Sequence, residues 1–115
     1  MQKILPFPSS PHQTLDTQLR FAIANRRLLR FTYDGAVRIA EPHDYGVRNR
    51  ETTVLVYQRE KAGRKGADVR GWRWLDTSKI QDSVVLEETF AGSRQAANQH
   101  HHQWDVLYAR VDEAT

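Results

Sequence analysis

The sequence predicts a mainly β fold in which one helix precedes about five antiparallel strands, the outline of a small barrel. Three observations support this prediction. Apolar residues recur at helical spacing near the start of the chain, alternating segments then follow one another closely, and glycine-containing turns separate those segments. A chain of 115 residues with 39% hydrophobic content has the size and composition of a single globular domain.

The predicted helix starts at Thr14 or Asp16, either of which can cap it, and ends near Asn25. Four apolar residues recur at the spacing of one buried helix face: Leu15, Leu19, Ala22 and Ile23. Residues 1–13 hold prolines at positions 6, 8 and 11 and are predicted to form an extended N-terminal arm. The domain itself is predicted to span residues 14–90.

Two strands joined by a hairpin are predicted after the helix. Alternation over residues 28–33 indicates the first strand, and Asp34 followed by Gly35 is a strong hairpin signal. The second strand, over residues 36–42, divides its side chains between two faces: Val37, Ile39 and Glu41 on one, Arg38 and Ala40 on the other.

Pro42 is expected to end the pairing of this second strand or to lie at a sheet edge, because proline has no N–H to donate. Residues 43–52 are then predicted to be a connection, with Gly46 and Asn49 as turn formers. Three later segments are predicted to be strands: 52–58, 69–75 and 80–90.

Residues 91–115 are predicted to form a C-terminal extension. Within it, residues 104–114 fit a short helix with Val106, Leu107 and Val111 on its inner side. The histidines at positions 100 to 102 are interpreted as surface residues. On a helix, consecutive side chains point about 100° apart, and on a strand no nearby acidic or histidine partner would complete a metal shell.

The amino-acid composition excludes several kinds of site and favours some kinds of partner over others. The chain has no cysteine, which excludes disulfides and cysteine-based metal or redox sites. It shows no signal-peptide pattern and no stretch long enough to cross a bilayer, so a cytoplasmic location without membrane binding is expected. The basic pI of about 9.5 favours anionic partners such as nucleic acid, nucleotides or acidic proteins.

No catalytic machinery is visible in the sequence. It lacks the nucleophile elbow, the phosphate-binding P-loop and the glycine-rich dinucleotide motif. His43 lies beside Asp44, but neighbours on a loop rarely act as an acid/base pair without a third group to orient them. The prediction is therefore a non-enzymatic protein with no catalytic residue, no metal and no cofactor.

The most basic part of the chain is residues 59–73, which hold six Lys or Arg against two acidic residues, a net +4, whereas the whole chain carries +3. This segment is either a solvated hairpin tip or the edge of a surface that binds anions. Its Gly63-to-Gly66 stretch has the form of a KH-domain loop, but it lies between predicted strands and fits a flexible hairpin tip better.

Two tryptophans flank Arg73 at the end of this segment. On a strand the rings of Trp72 and Trp74 face one side and Arg73 faces the other. The rings either pack into the core or act as stacking platforms for nucleic-acid bases.

The order of these segments resembles the WYL domain of bacterial regulators over roughly residues 18–90. The positions that carry the resemblance are Tyr33, Arg38 and Pro42 in a first block, and Arg73, Leu75, Lys79 and Ile80 in a last block. Leu75 stands where the family has an aromatic residue, and Lys79 where it has a second arginine. The naming Trp-Tyr-Leu triad falls on residues 53–55, where only Leu55 matches.

The resemblance implies an SH3-like or Sm-like barrel that binds nucleic acid or nucleotide-type ligands and regulates transcription or defence systems. Most members join this domain to a DNA-binding helix-turn-helix, and this chain is expected to be a free-standing module. The loss of the triad's tyrosine implies that one aromatic contact is missing, so the ligand is expected to differ from the family's.

The resulting hypothesis is a module that binds single-stranded nucleic acid or a nucleotide in a basic pocket. Phosphate binding is assigned to Arg38, Arg73 and Lys79. Base stacking is assigned to Tyr33, Tyr57 or Trp72, and electrostatic steering to Lys61, Arg64, Lys65 and Arg70.

Two alternatives stay open. Arg73 would only stabilise the fold if it paired with Asp76 or Glu41. The module would instead be a protein-interaction adaptor if its barrel groove or an edge strand bound a peptide. Exposed strand edges also make a homodimer one of the expected assemblies.

Overall fold

A computed structural model describes residues 14–64, 66–94 and 104–112. The predicted N-terminal arm and the three consecutive histidines lie outside these ranges. The secondary structure comprises α1 (Leu15–Ala24), β1 (Arg27–Tyr33), β2 (Ala36–Arg48), β3 (Glu51–Lys61), β4 (Gly71–Asp76), β5 (Gln81–Thr89) and β6 (Val106–Arg110). Two short 3-10 turns, Ala67–Val69 and Thr77–Lys79, flank β4. No helix in the described ranges is long and apolar enough to cross a membrane.

The prediction of a mainly β fold with one leading helix is confirmed. All strand pairs are antiparallel, and the order across the sheet is β4-β3-β2-β1-β5, with β6 paired to the far half of β2. The two outer strands, β4 and β5, are not hydrogen-bonded to each other, so the described strands do not close into a barrel by hydrogen bonds.

The helix begins where the sequence indicates. Thr14 is its N-cap, and the Thr14 Oγ1 accepts a hydrogen bond of 3.1 Å from the Thr17 backbone N–H. Asp16 instead accepts a hydrogen bond from the hydroxyl of Tyr45 at 2.7 Å, which ties the helix to β2. The predicted apolar face is buried against the sheet at Leu19, Ala22 and Ile23, and Leu15 packs at its margin.

The sheet is strongly curved. The Tyr33 hydroxyl on β1 accepts a hydrogen bond of 3.2 Å from the Asp76 backbone N–H on β4. Three strand spacings separate those two strands, about 14 Å in a flat sheet, which is more than a tyrosine side chain spans. The concave face therefore wraps around one apolar core shared by the helix and β1 to β5.

The prediction that β2 ends at Pro42 and that residues 43–52 form a connection is wrong, whereas the alternative position of Pro42, at a sheet edge, agrees with the gap between β1 and β6. β2 continues to Arg48, and only Asn49 and Arg50 form the turn to β3. On one edge of β2, pairing with β1 ends at Ala40 and pairing with β6 begins at Asp44. Pro42 lies between those two partners and next to a register shift against β3, an irregular place at which a strand accommodates a proline.

The predicted C-terminal helix is also wrong, because residues 106–110 form β6. Val106 is 52% exposed, and of the three residues predicted to face inward only Val111 is buried. The edge of β2 beyond β1 offers unpaired backbone, and Gly46 lets β6 approach it closely. A Cβ at Gly46 would collide with the Val106 carbonyl oxygen and lie 3.0 Å from the Leu107 Cα. Gly46 thus serves strand packing and not a turn.

Candidate functional site

The basic side chains gather at the end of the sheet where β3 turns towards β4. The register places Arg38 of β2 opposite Lys61, and Gln58 opposite Gly71 at the start of β4. The 3-10 turn Ala67–Val69 lies across this end and packs against β3. Gly71, at φ 143°, passes close to Arg73, since a Cβ there would lie 3.1 Å from the Arg73 Nη1. This crowded end of the sheet brings together charges that are distant in sequence.

A cavity of about 70 Å³ lies at this end. Seven residues line it: Arg38, Gln58, Lys61, Arg64, Asp68, Val69 and Arg73. Two of the predicted phosphate ligands therefore share one cavity, together with two of the predicted steering residues. The lining carries four cationic side chains against one carboxylate.

Arg38 is the most buried of these cations, with 8% of its surface exposed. Its Nη1 donates to the Gln58 Oε1 at 3.2 Å, and its Nη2 donates to the Tyr33 carbonyl oxygen at 2.9 Å. The guanidinium lies 5.3 Å from the centre of the Tyr33 ring. Its Nε has no hydrogen-bond partner within the described part of the chain. A buried guanidinium with an unused donor is costly unless an acceptor is bound there.

Arg73 holds the 3-10 turn in place. Its Nη1 donates to the Trp72 carbonyl oxygen at 3.0 Å, and its Nη2 donates to the carbonyl oxygens of Asp68 and Val69 at 3.1 and 3.3 Å. Arg73 does not pair with Asp76 or Glu41, which was the predicted alternative. The three acceptors of Arg73 are neutral carbonyl oxygens, so neither Asp76 nor Glu41 neutralises its positive charge.

A larger cavity of about 390 Å³ adjoins the small one, because Lys61, Arg64 and Val69 line both. Its other lining residues are Val37, Ile39, Arg59, Glu60, Ala62, Gly66 and Arg70. Three of the four predicted steering residues line this cavity, and the fourth, Lys65, lies outside the described residues. The described loop cations thus line the same pair of adjoining cavities as Arg38 and Arg73.

The predicted stacking residues do not all lie with the predicted phosphate ligands. Tyr57 and Trp72 each precede a cavity residue by one position on a strand, so their side chains point to the opposite, convex face of the sheet. Trp72 packs edge-on against His43 at 4.8 Å and Tyr57 at 5.5 Å. The guanidinium of Arg94 covers the Tyr57 ring at 4.0 Å. Tyr33 alone of the three lies beside Arg38.

Lys79 is also apart from the cavities. It belongs to the turn at the far end of β4, where the Thr77 Oγ1 donates to the Thr52 carbonyl oxygen at 3.1 Å. Thr52 lies nine positions before Lys61 on β3, about 30 Å of extended strand. The structure therefore unites Arg38 and Arg73 but leaves Lys79 at the other end of the hairpin.

Sequence reasoning missed a buried ionic cluster on the convex face. Glu41, 1% exposed, accepts from Arg94 at 2.7 and 2.9 Å, pairs with Arg59 at 3.0 Å and lies 3.3 Å from the His43 Nε2. Burial alone would raise the pKa of Glu41, but the hydrogen bonds from His43 and Arg94 and the two arginine charges outweigh it and lower the pKa to about 2.

Asp44, three residues further along β2, is a second buried carboxylate that binds an arginine through two hydrogen bonds. It is buried and accepts from the Arg110 Nε and Nη2 at 3.1 and 3.3 Å. The Val111 backbone N–H also donates to the His43 carbonyl oxygen at 2.8 Å. These contacts fasten the C-terminal strand to β2. The local signal was an unusual run of polar residues around Pro42, but the arginine partners are more than fifty residues away.

Within the described ranges, no group of three or more histidine, cysteine or acidic side chains is placed to hold a metal ion. His43 faces Glu41 and not Asp44, and both carboxylates are occupied by arginines. The convex cluster is thus built as a set of ion pairs between β2 and the C-terminal segment.

Comparison with known proteins adds no relative. No family model, no curated protein and no solved structure matches this chain. The resemblance to the WYL domain rests on the residues quoted for it above.

Proposed function

We propose that this chain is a non-enzymatic module of the WYL type that binds the phosphate groups of single-stranded nucleic acid or of a nucleotide. The site is the pair of adjoining cavities at the β3–β4 end of the sheet. The observation that carries this proposal is Arg38, a buried arginine that lines the small cavity together with three further cations. A phosphate bound in the small cavity would compensate the charge of Arg38 and offer acceptors to the guanidinium groups that line it.

Charge supports the same site. Six cationic and two acidic side chains line the two cavities together. Lys61 and Arg70 have no ion-pair partner among the described residues, so their charges are available to a ligand. Phosphate contacts of this kind dominate the affinity of proteins for nucleic acid and make it depend on salt.

The curved sheet is consistent with the SH3-like or Sm-like architecture that the resemblance implies. We propose that it is a partly open barrel, in which the Tyr33–Asp76 contact brings β1 and β4 together without a strand ladder. A role in transcription or defence regulation is the corresponding biological proposal.

The test is fluorescence anisotropy of a labelled mixed-sequence single strand and of its duplex, at about 50 and 200 mM salt. Two variants remove one lysine charge each: Lys61→Gln inside the site and Lys79→Gln outside it. We expect binding that prefers the single strand and weakens with salt. Lys61→Gln should flatten the dependence of log K on log salt by about 0.7, the value of one phosphate contact on a single strand.

Lys79→Gln is the matched control and should bind as the natural chain does. If both variants weaken binding equally, the ligand does not occupy the cavities. If neither nucleic acid binds at low salt, the proposal is wrong and a peptide partner becomes the better hypothesis.

A further inference from the structure

The two cavities differ in size in a way that restricts which phosphate can enter. The small cavity holds about 70 Å³ and the larger one about 390 Å³. A cavity needs roughly 10–15 Å³ of the same kind of volume for each water. The small cavity therefore has room for a few waters or one tetrahedral phosphate group, but not for a sugar or a base.

We infer that the small cavity receives a terminal phosphomonoester, while the sugar and base attached to it lie in the larger cavity. This inference rests on the proposed function and names its ligand class. An internal phosphodiester has a sugar on both sides of the phosphorus, and only one of them would have the larger cavity to occupy. A terminal phosphate has a sugar on one side only.

The charges of the small cavity favour the same ligand. A monoester carries about −1.5 to −2 charges at neutral pH, because its second pKa is near 6, whereas a diester carries one. Arg38 and Arg73 line this cavity and not the larger one. A dianion gains more than a monoanion from the buried guanidinium of Arg38 and the half-buried one of Arg73. The additional terminal oxygen is also an acceptor for the cationic donors that line this cavity.

The larger cavity has the surface that a nucleoside needs. Val37, Ile39 and Val69 line it, and Val37 is 44% exposed although it is apolar. Arg70 also lines it, has no ion-pair partner among the described residues, and offers a planar guanidinium group to a base or to the next phosphate. The cavity combines apolar contact with cationic side chains.

Asp68 opposes anion binding, since it lines the small cavity and carries the same sign as the ligand. It is 71% exposed and pairs with Arg64 at 3.4 Å, so its charge is screened by water and partly compensated. Asp68→Asn should therefore tighten binding of a terminal phosphate by a few-fold, without disturbing the core.

The experiment compares one short oligothymidylate with a 5′-phosphate, with a 3′-phosphate and with hydroxyls at both ends, each carrying a label away from the tested end. We expect one phosphorylated form to bind about tenfold or more tightly than the hydroxyl form, a difference of about 1.4 kcal/mol. Thymidine monophosphate should compete with that form better than thymidine does.

Two variants show which cavity is responsible for the preference for a phosphorylated end. Arg38→Lys keeps the charge but removes the Nε donor, and should reduce the preference for the phosphorylated end to near one. Arg70→Gln changes only the larger cavity, so it should weaken all forms by a similar factor and leave the preference intact. Circular dichroism and thermal unfolding check that each variant is folded. Should Arg38→Lys fail to fold, Asp68→Asn and the three oligonucleotides on the natural chain still decide the question.

The outcomes separate this inference from the proposed function. Equal, salt-sensitive affinity for all three oligonucleotides would overturn the inference and leave the proposed function standing. No binding to any of them at low salt would overturn both. A preference that survives Arg38→Lys in a folded protein would place the terminal phosphate outside the small cavity and refute the inference.

Discussion

Arg94 binds Glu41 through two parallel hydrogen bonds of 2.7 and 2.9 Å, although 53 residues separate the two side chains in the sequence. Glu41 lies on the central strand β2, and Arg94 follows β5. The carboxylate of this bidentate pair is buried, whereas the Arg94 side chain is 43% exposed. The pair resists separation, because breaking it leaves a buried negative charge with fewer partners. The convex face of the sheet thus depends on a contact between distant parts of the chain.

Replacing Arg94 should therefore destabilise the fold. We expect Arg94→Met to lower the free energy of unfolding by about 2–3 kcal/mol, less than the full cost of an orphaned carboxylate, because Arg59 and His43 remain beside Glu41. Urea unfolding measures the change. Arg64→Met is the control, since its exposed pair with Asp68 should contribute at most about 1 kcal/mol. Equal losses in the two variants would show that the Glu41 pair is no stronger than a surface pair.

The free energy of unfolding should fall in acid because Glu41 becomes protonated. Its pKa is about 2 in the fold, against an ordinary value of 4.5 for a glutamate carboxyl. A lowered pKa contributes stability that is present above pH 4.5 and is lost as the pH falls towards 2. The shift corresponds to about 3 kcal/mol, at 1.36 kcal/mol for each pKa unit. Urea midpoints measured from pH 6 to pH 2 test it.

Glu41→Gln removes this titration and leaves the other acidic groups in place. Asp16, whose pKa is lowered mainly by the hydrogen bond from Tyr45, and Asp76, whose pKa is lowered by Ser78, will still produce some acid sensitivity. We expect the variant to be less stable at pH 6 and to lose less on acidification. A variant that loses as much as the natural chain between pH 4.5 and 2 would contradict the assignment to Glu41.

Gly46 should be intolerant of a side chain. In Gly46→Ala the new methyl group would meet the Val106 carbonyl oxygen, so β6 would have to move away from β2. We expect a loss of about 1–3 kcal/mol, as for other overpacked sites, and faster proteolysis near residues 104–112. Gly63→Ala is the control: no atom lies within 4 Å of its Cβ, and only its φ of 82° is unfavourable. If proteolysis near β6 is unchanged in Gly46→Ala, the close approach of the two strands is not required.

The curvature of the sheet predicts a measurable role for the Tyr33 hydroxyl. Tyr33→Phe removes the acceptor for the Asp76 N–H, and we expect a loss of about 1 kcal/mol and faster hydrogen exchange at that amide. Amide exchange followed by NMR gives both quantities. Protection of Asp76 that is the same in the variant would mean that the hydroxyl does not hold β1 and β4 together.

Local patterns account for what could be predicted from the sequence. The positions of α1 and of β1 to β5 could be predicted from side-chain periods of 3.6 and 2, which are properties of a few neighbouring residues. The two wrong predictions, the end of β2 at Pro42 and the C-terminal helix, concern segments whose structure depends on pairing with a strand distant in sequence. Pro42 is tolerated inside β2 only because β1 and β6 divide that edge between them, and residues 106–110 become a strand because β2 has an unpaired edge. Neither condition is visible locally.

The site was predictable to a similar extent. Arg38 and Arg73 could be named from the resemblance, but their meeting with Lys61 and Arg64 depends on the register between β2 and β3. Strand alternation already implied that Trp72 and Arg73 face opposite sides, so their separation could have been derived before the structure was known. The remoteness of Lys79 could not, because it depends on how β4 pairs with β3.

The most direct test of the central claim is the NMR signal of the Arg38 Nε–H in uniformly ¹⁵N-labelled protein, assigned by comparison with Arg38→Lys. The probe is the phosphorylated oligothymidylate. We predict that this signal shifts on titration, with the same midpoint as the anisotropy measurement, while the Nε–H signal of Arg20, which is bound to Asp16, stays in place. An oligonucleotide that binds without moving the Arg38 signal would contradict the proposed site.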